Sequence, residues 1–179
     1  MRCYCLFCET VKCRMIAQNL EQMMPCRALS PKQVQHTRSK GQTVDIVHDL
    51  TPGYVFLYLE DTPLDLQMLR RMDGFVRCLC NNDGTYELQA EDERFAQLLL
   101  AQGGVIGKTK VYQEGQMIRL TEGAFAGVEA SILRVNRRNM RMQIAIPFAG
   151  KHIKTWVEYE MVEEKQGEKM PDGNASSAI

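Results

Sequence analysis

Residues 118–163, IRLTEGAFAGVEASILRVNRRNMRMQIAIPFAGKHIKTWVEYEMVE, decide the fold of the second half of the chain. From residue 115 onward the helical spacing of apolar residues disappears, and short strand-like runs follow at 116–120, 130–135, 140–146 and 152–157. In the third run and just beyond it, apolar residues recur at every second position: Met142, Ile144, Ile146 and Phe148. One buried face of a small barrel requires this alternation. The stretch therefore predicts a small all-β barrel over 115–163.

Basic residues surround two predicted turns of this barrel. They are Arg134, Arg137, Arg138 and Arg141 around the first turn, and Lys151, His152 and Lys154 around the second. Guanidinium groups crowded at one end of a barrel can pair with phosphates in forked geometry and stack on bases. The pattern predicts RNA binding by these seven residues, with an ordinary solvated turn as the alternative. Trp156 is interpreted as a core residue, and a stacking platform is the alternative.

The first 104 residues alternate between strand and helix patterns. The predicted strands are 2–8, 54–59 and 75–80, and the predicted helices are 9–24, 62–72 and 91–102. Thr62 is the expected N-cap of the second helix, and Pro25 ends the first. This order predicts an α+β sandwich, one mixed sheet with helices on one face. Residues 105–114 are the predicted linker between this domain and the barrel, and 164–179 a disordered tail.

Composition excludes several classes of protein. Lysine plus arginine and aspartate plus glutamate both number 22, so no global positive field marks a bulk nucleic-acid binder. No run approaches the roughly 20 apolar residues of a membrane span, and no signal-type segment is present, so a cytoplasmic protein without membrane contact is expected. Five of the seven cysteines lie in the first 26 residues. Their spacing matches no standard paired metal site, and free thiols are expected.

No pattern indicates an enzyme. The three histidines (His36, His48 and His152) are scattered, and no serine or cysteine lies in a recognisable nucleophile elbow. The sequence therefore predicts no catalytic residues, no metal site and no cofactor.

Several short motifs resemble those of one family of transcription factors. Gly123-Ala124-Phe125-Ala126-Gly127, followed by Val128-Glu129-Ala130, resembles the turn of a KOW domain, with Ala124 in place of the usual proline and Ala130 in place of a second glycine. Tyr4-Cys5-Leu6, Pro52-Gly53-Tyr54-Val55-Phe56 and Gly74-Phe75-Val76 resemble the NGN domain that precedes KOW in the NusG family. Together the two resemblances cover about nine-tenths of the 179 residues.

The resemblance implies a non-enzymatic, monomeric factor that binds RNA polymerase. The NGN domain, 1–104, would dock on the clamp coiled coil of the polymerase through Tyr4, Leu50, Tyr54 and Phe56. The pair Leu50-Thr51 stands where the housekeeping factor has two aromatic residues. Arg70 and Arg71 are candidates for contact with upstream DNA or polymerase, for which an ordinary exposed helix face is an equal explanation.

The junction 106–115 and the arginine-rich 134–141 segment look most like the LoaP-type paralogs, which act as processive antiterminators and engage RNA. This subgroup implies that the barrel binds nascent RNA, for example a leader hairpin. Three alternatives remain open: a general factor whose barrel binds ribosomal protein or termination factor, a thiol–metal redox regulator, and a barrel that refolds into helices against the first domain.

Overall fold

The structure, a computed structural model, describes residues 1–39, 42–114, 117–122, 125 and 130–161. The helices are α1 (Cys13–Met23), α2 (Leu66–Arg70) and α3 (Ala90–Ala101), with a 3₁₀ turn at Thr10–Lys12. The strands of the first half are β1 (Arg2–Cys8), β2 (Arg27–Leu29), β3 (Lys32–Ser39), β4 (Gln42–Asp49), β5 (Tyr54–Leu59) and β6 (Phe75–Cys78). Those of the second half are β7 (Val105–Ile106), β8 (Thr109–Glu114), β9 (Met117–Glu122), β10 (Ser131–Asn136), β11 (Arg141–Phe148) and β12 (Lys151–Met161).

The central sheet has the strand order β2-β5-β1-β6, and its described pairs are antiparallel. The expectation of a mixed sheet with helices on one face is wrong. Helix α1 packs on one face against Val55, Leu57 and Leu59, whereas Phe95 and Leu99 of α3 pack on the other face against Phe56. The run Tyr54–Leu59 is apolar at every position, so both faces of β5 need a cover.

Helix α2 is shorter than predicted and has a different cap. Its N-cap is Asp65 rather than Thr62, because the Asp65 carboxylate accepts the backbone N–H groups of Gln67 at 2.9 Å and Met68 at 3.0 Å. A carboxylate that satisfies two otherwise unpaired N–H groups fixes the start of a helix. The end of α1 agrees with the prediction, since Met24 before Pro25 has extended dihedral angles.

The second half forms a five-stranded sheet with the order β10-β11-β12-β8-β9. The predicted alternation is confirmed: Met142, Ile144, Ile146 and Phe148 of β11 are all buried. Within the described residues, β9 and β10 do not pair to close this sheet, so a closed barrel stays a prediction. The segment also contains strands rather than helices. Of the motif 123–130, only Phe125, which is buried, and Ala130 lie within the described residues.

The segment 105–114, predicted as a linker, contains two strands. β7 pairs in parallel with β3, in a third sheet of order β4-β3-β7, and β8 pairs in parallel with β12. Only Gly107 and Lys108 separate the two strands. Through these pairings β7 belongs to the first half of the molecule and β8 to the second half. The predicted tail, 164–179, lies outside the described residues.

One apolar cluster joins the two halves. It contains Phe56 and Phe95 from the first half and Ile144, Phe148 and Val157 from the second. A second cluster, between α1 and the central sheet, belongs to the first half alone. In the part of the chain that the structure describes, no helix is long and apolar enough to cross a bilayer.

Candidate functional site

The predicted polymerase-binding residues Leu50, Tyr54 and Phe56 lie on one side of the central sheet, under the second sheet. Phe148 of β11 covers the two aromatic residues among them: its ring centroid lies 5.4 Å from that of Phe56 and 6.1 Å from that of Tyr54. Phe95 of α3 completes the aromatic group at 5.6 Å from Phe148 and 5.8 Å from Phe56. Phe56 is fully buried in this arrangement, whereas Tyr54 is only half-buried. We call Tyr54, Phe56, Phe95 and Phe148 the aromatic contact.

Tyr4 does not lie with these residues. It pairs with Leu57 of β5, whereas Phe56 pairs with Cys5, so Tyr4 points into the layer beneath α1. Burial there raises the pKa of the Tyr4 hydroxyl. The expectation that Tyr4 shares the face of Tyr54 and Phe56 is therefore wrong, because the register between β1 and β5 decides which residues face the same way.

A group of polar side chains borders the aromatic contact near the end of β11 at Arg141. The Glu158 carboxylate, 6% exposed, accepts the backbone N–H of His36 at 2.6 Å and lies 2.8 Å from His36 Nδ1. Arg141 Nη2 lies 3.6 Å from Glu158 and donates to the Thr37 hydroxyl at 3.1 Å. The group, which we call the Glu158 contact, thus joins β3 to β11 and β12. Asp45 adds a second carboxylate at 3.5 Å from His36 Nε2.

A second polar contact lies at the other end of β11. The backbone N–H of Ala149 donates to both carboxylate oxygens of Asp92 on α3, at 2.9 and 3.1 Å. Burial raises the pKa of Asp92, and the hydrogen bond from Ala149 partly opposes this shift. The aromatic contact thus lies between two polar contacts, and both connect the second sheet to the first half of the chain.

The seven predicted RNA-binding residues divide into three groups. Arg134, Arg137 and Arg138 are exposed, on β10 and the turn that follows it. Arg141 is instead held in the Glu158 contact, with 26% of its side chain exposed. Lys151, His152 and Lys154 are exposed near the start of β12. In the register of β11 with β12, Lys151 pairs with Phe148 at one end and Glu158 with Arg141 at the other. The two turns therefore lie at opposite ends of β11, roughly 24 Å apart at the rise of an antiparallel strand.

Trp156 is not a core residue, contrary to the interpretation from sequence. It exposes 36% of its surface, while its neighbours Thr155 and Val157 on β12 are buried. The reason is its register: Trp156 pairs with Gln143, which alternates with the buried Met142 and Ile144. The indole therefore lies on the outer face of the sheet.

The cysteines within the described residues are free thiols, and they lie in separate layers. Cys3 and Cys5 belong to the cluster of the aromatic contact, whereas Cys8, Cys13 and Cys78 belong to the cluster between α1 and the central sheet. Burial raises the pKa of Cys3 to about 11 and those of Cys8 and Cys78 to about 12. These thiols therefore stay protonated and unreactive at neutral pH. No group of three or more candidate metal ligands occurs among the residues that the structure describes.

Sequence patterns did not identify the two polar contacts, which involve His36 and Glu158 at one end of β11 and Asp92 at the other. His36 and Glu158 are 122 residues apart, and each looks like an ordinary polar residue of a strand. The sequence contained only a weak signal for Glu158, which is that it lies between the apolar Val157 and the aromatic Tyr159. An acidic residue buried in such a run needs a polar partner. Arg70 is the last residue of α2 and Arg71 follows it, and both side chains are exposed. Neither contacts His36, Asp92 or Glu158 in the part of the chain that the structure describes.

Comparison with known proteins gives a consistent but distant similarity. No family model matches the chain. "Transcription termination/antitermination protein NusG" of Streptococcus pyogenes serotype M3 is 25% identical over 117 residues, 64% of this chain and 65% of that protein. The protein of the same name from Rickettsia typhi is 20% identical over 113 residues, 63% of this chain and 59% of that protein. The chain thus spans slightly less than two thirds of the length of these relatives.

The fold shows the same similarity. A solved structure described as "Domain interaction in Thermotoga maritima NusG" superposes with a TM-score of 0.51 and covers 88% of this chain and 93% of its own, at 12% identity. The chain is thus similar to NusG proteins over part of its sequence and similar in fold to a NusG structure.

Proposed function

We propose that the chain is a NusG-type transcription factor, without catalytic activity, that binds RNA polymerase through its first half and RNA through its second. In this proposal it favours elongation and antitermination, as a LoaP-type factor would. The observation that supports it best is the aromatic contact. Tyr54, Phe56 and Leu50 form an apolar face on the central sheet, and a separate sheet covers this face through Phe148 and two small polar contacts.

Such a face can exchange one apolar cover for another. A pair of helices, such as the coiled coil of the polymerase clamp, could bury the same residues once the second sheet moves away. Binding then depends on a difference in free energy between the covered and the uncovered form. The proposed polymerase site therefore includes Leu50, Tyr54 and Phe56, while Tyr4 would act only by supporting the sheet from its other face.

Replacing Tyr54 by alanine tests the polymerase part of the proposal. We expect the affinity for core RNA polymerase to fall by roughly tenfold or more, as the loss of an aromatic interface residue does. The same substitution loosens the aromatic contact, which by itself would raise the affinity, so a fall can come only from lost contact with polymerase. Biolayer interferometry with immobilised polymerase measures the net affinity, which includes both the lost contact with polymerase and the loosened aromatic contact.

Tyr86→Ala is the matched control, because Tyr86 is also half-buried but packs in the layer beneath α1. We expect it to leave polymerase affinity unchanged. Equal losses for both variants would contradict docking through the Tyr54 face.

The exposed arginines Arg137 and Arg138 support RNA binding by the second half. Replacing both by alanine should reduce affinity for a structured leader RNA and lower the slope of log affinity against log salt by roughly 1.4 to 1.8, since each lost phosphate contact contributes about 0.7 on a single strand and about 0.9 on a DNA duplex. The double variant Arg70→Ala/Arg71→Ala removes a comparable exposed pair from α2 and should change neither quantity. Fluorescence anisotropy with labelled RNA at several salt concentrations measures both.

An unchanged RNA affinity for the Arg137/Arg138 variant would favour the second candidate, a general factor whose second half binds ribosomal protein or termination factor. Run-off transcription past a terminator, with and without the leader RNA, then separates the two functions. RNA-dependent read-through is the result expected for the proposed function.

A further inference from the structure

The outer face of strands β10, β11 and β12 places the single tryptophan of the chain among basic residues. The register aligns Arg134 of β10 and Trp156 of β12 with the same residue of β11, Gln143. Paired residues on adjacent strands lie on one face of a sheet, about 5 Å apart. Lys154 follows on this face two residues from Trp156, and His152 two residues beyond that. We call Arg134, Gln143, Lys154 and Trp156 the Trp156 face.

This face is exposed, and its exposed charges within the described residues are positive. Arg134 and Lys154 are exposed, and 36% of Trp156 is accessible. The next row on the same face contains one carboxylate, Glu158, but that side chain is buried and engaged by His36 and Arg141. The exposed carboxylate of Glu160 lies only beyond this row, toward the end of β12. The Trp156 face therefore complements a polyanion.

An exposed indole between two cations suits one polyanion in particular. In a duplex the bases are already stacked on one another, so their flat faces are hidden from a side chain. In a single strand each base has a free face that can stack on an aromatic ring, while lysine and arginine contact the neighbouring phosphates. A purely apolar partner fits less well, because Arg134, Lys154 and the polar Gln143 surround Trp156 on this face.

We propose that the Trp156 face binds single-stranded RNA, with a base stacked on Trp156 and phosphates on Arg134 and Lys154. The inference rests on the proposed RNA-binding function and makes it more specific. It names an unpaired segment as the ligand and adds a contact on the open sheet face to the one at the turn formed by Arg137 and Arg138. Arg141, which the sequence grouped with the other arginines, takes no part because it is held in the Glu158 contact.

The protein contains its own reporter for this contact, because Trp156 is the only tryptophan in the sequence. The full chain is titrated with oligouridine RNA of about 12 nucleotides, within the roughly 4 to 16 that a small β-fold covers, and with an RNA duplex of the same length. Stacking should quench the tryptophan fluorescence saturably with the single strand and not with the duplex. A merely structural role of Trp156 would give no such quenching.

Labelled oligouridine then tests variants by anisotropy. Trp156→Ala should lower affinity roughly 5- to 100-fold, the range for loss of one stacked base, and Trp156→Phe should recover part of it. Lys154→Gln and Arg134→Gln should each lower the salt slope by roughly 0.7. Leu133→Ala, which removes an exposed apolar residue of β10 and keeps every charge of the Trp156 face, should change nothing. Because Trp156 is 36% exposed and its remaining surface is covered, circular dichroism at the titration temperature checks that each variant is still folded.

Two failures are distinguishable. Normal RNA affinity for Trp156→Ala, or equal quenching by duplex and single strand, would overturn the Trp156 face and leave RNA binding through Arg137 and Arg138 intact. Absence of binding to oligouridine, duplex and leader RNA alike would instead overturn the proposed RNA-binding function and the inference with it. Binding of a ribosomal protein that quenches Trp156 while RNA does not would also overturn the inference.

Discussion

Replacing Phe148 by alanine is expected to separate the second sheet from the first half and to raise affinity for RNA polymerase. Phe148 contacts Tyr54, Phe56 and Phe95 at ring-centroid distances of 6.1, 5.4 and 5.6 Å. Removing a buried phenylalanine costs about 3–5 kcal/mol, because the transfer free energy is lost and a cavity remains. Much of this cost falls on the covered form alone. The uncovered form therefore gains population, and the apparent affinity for a partner of this face rises in proportion.

Hydrogen exchange and polymerase binding together measure this result. The amides of β5, and the radius of gyration in solution scattering, report whether the sheets have separated. Phe75→Ala is the matched control, since Phe75 is half-buried and packs in the layer beneath α1. It should lower the melting temperature without raising polymerase affinity. If Phe148→Ala lowered stability to a similar extent and left both the exchange of β5 and polymerase affinity unchanged, Phe148 would not hold the cover in place.

The second large effect is expected for Glu158. Substitution by alanine leaves the His36 N–H without its acceptor and Arg141 without its carboxylate, at a partly buried junction of β3 with β11 and β12. An unsatisfied buried donor costs about 1–3 kcal/mol, and the cost here lies at the low end of this range because His36 and Arg141 are partly exposed to water. The His36 amide should therefore exchange its hydrogen much faster. Hydrogen exchange resolved by residue measures this directly.

Two further variants isolate the cause. Glu158→Gln keeps an oxygen that can accept from the His36 N–H but removes the charge, so it should have a smaller effect than alanine. Glu160→Ala removes an exposed carboxylate two residues further along the same strand and should leave the His36 amide protected. Fast exchange in the Glu160 variant, or continued protection in Glu158→Ala, would contradict the role assigned to the Glu158 contact.

Strands β1, β5 and β11 and helices α1 and α3 followed from local patterns, because burial of one or both faces leaves a periodic trace, whereas β3, β4, β7 and β8 were not predicted. The apolar run of β5 and the alternation of β11 are examples, and both are present as predicted. Residues whose role depends on strand register did not follow from the sequence. Tyr4 was assigned to the wrong face and Trp156 to the core, because a shift of one residue reverses which side chains face the same way.

The candidate site was predictable only in part. Tyr54 and Phe56 share a face because they are two residues apart on one strand, and this part of the expectation is confirmed by their common cluster. The Glu158 contact was not predictable, because it joins β3 to β12 across 122 residues. Similarly, the separation of Arg141 from Arg137 and Arg138 depends on Thr37 and Glu158, which are distant in sequence. Local patterns contain no information about such pairings.

The short connection at Gly107 and Lys108 limits how the two halves can move apart. Because β7 belongs with β3 and β8 with β12, a separation that preserves both strands must rotate about these two residues. Gly107 has open space around its Cα, which leaves room for such a rotation. A tether this short keeps the released sheet at an effective concentration on the order of millimolar or higher near the surface it has left. Any partner of Tyr54 and Phe56 must therefore outcompete rapid intramolecular recapture, so residence time, more than encounter rate, will determine whether the complex persists.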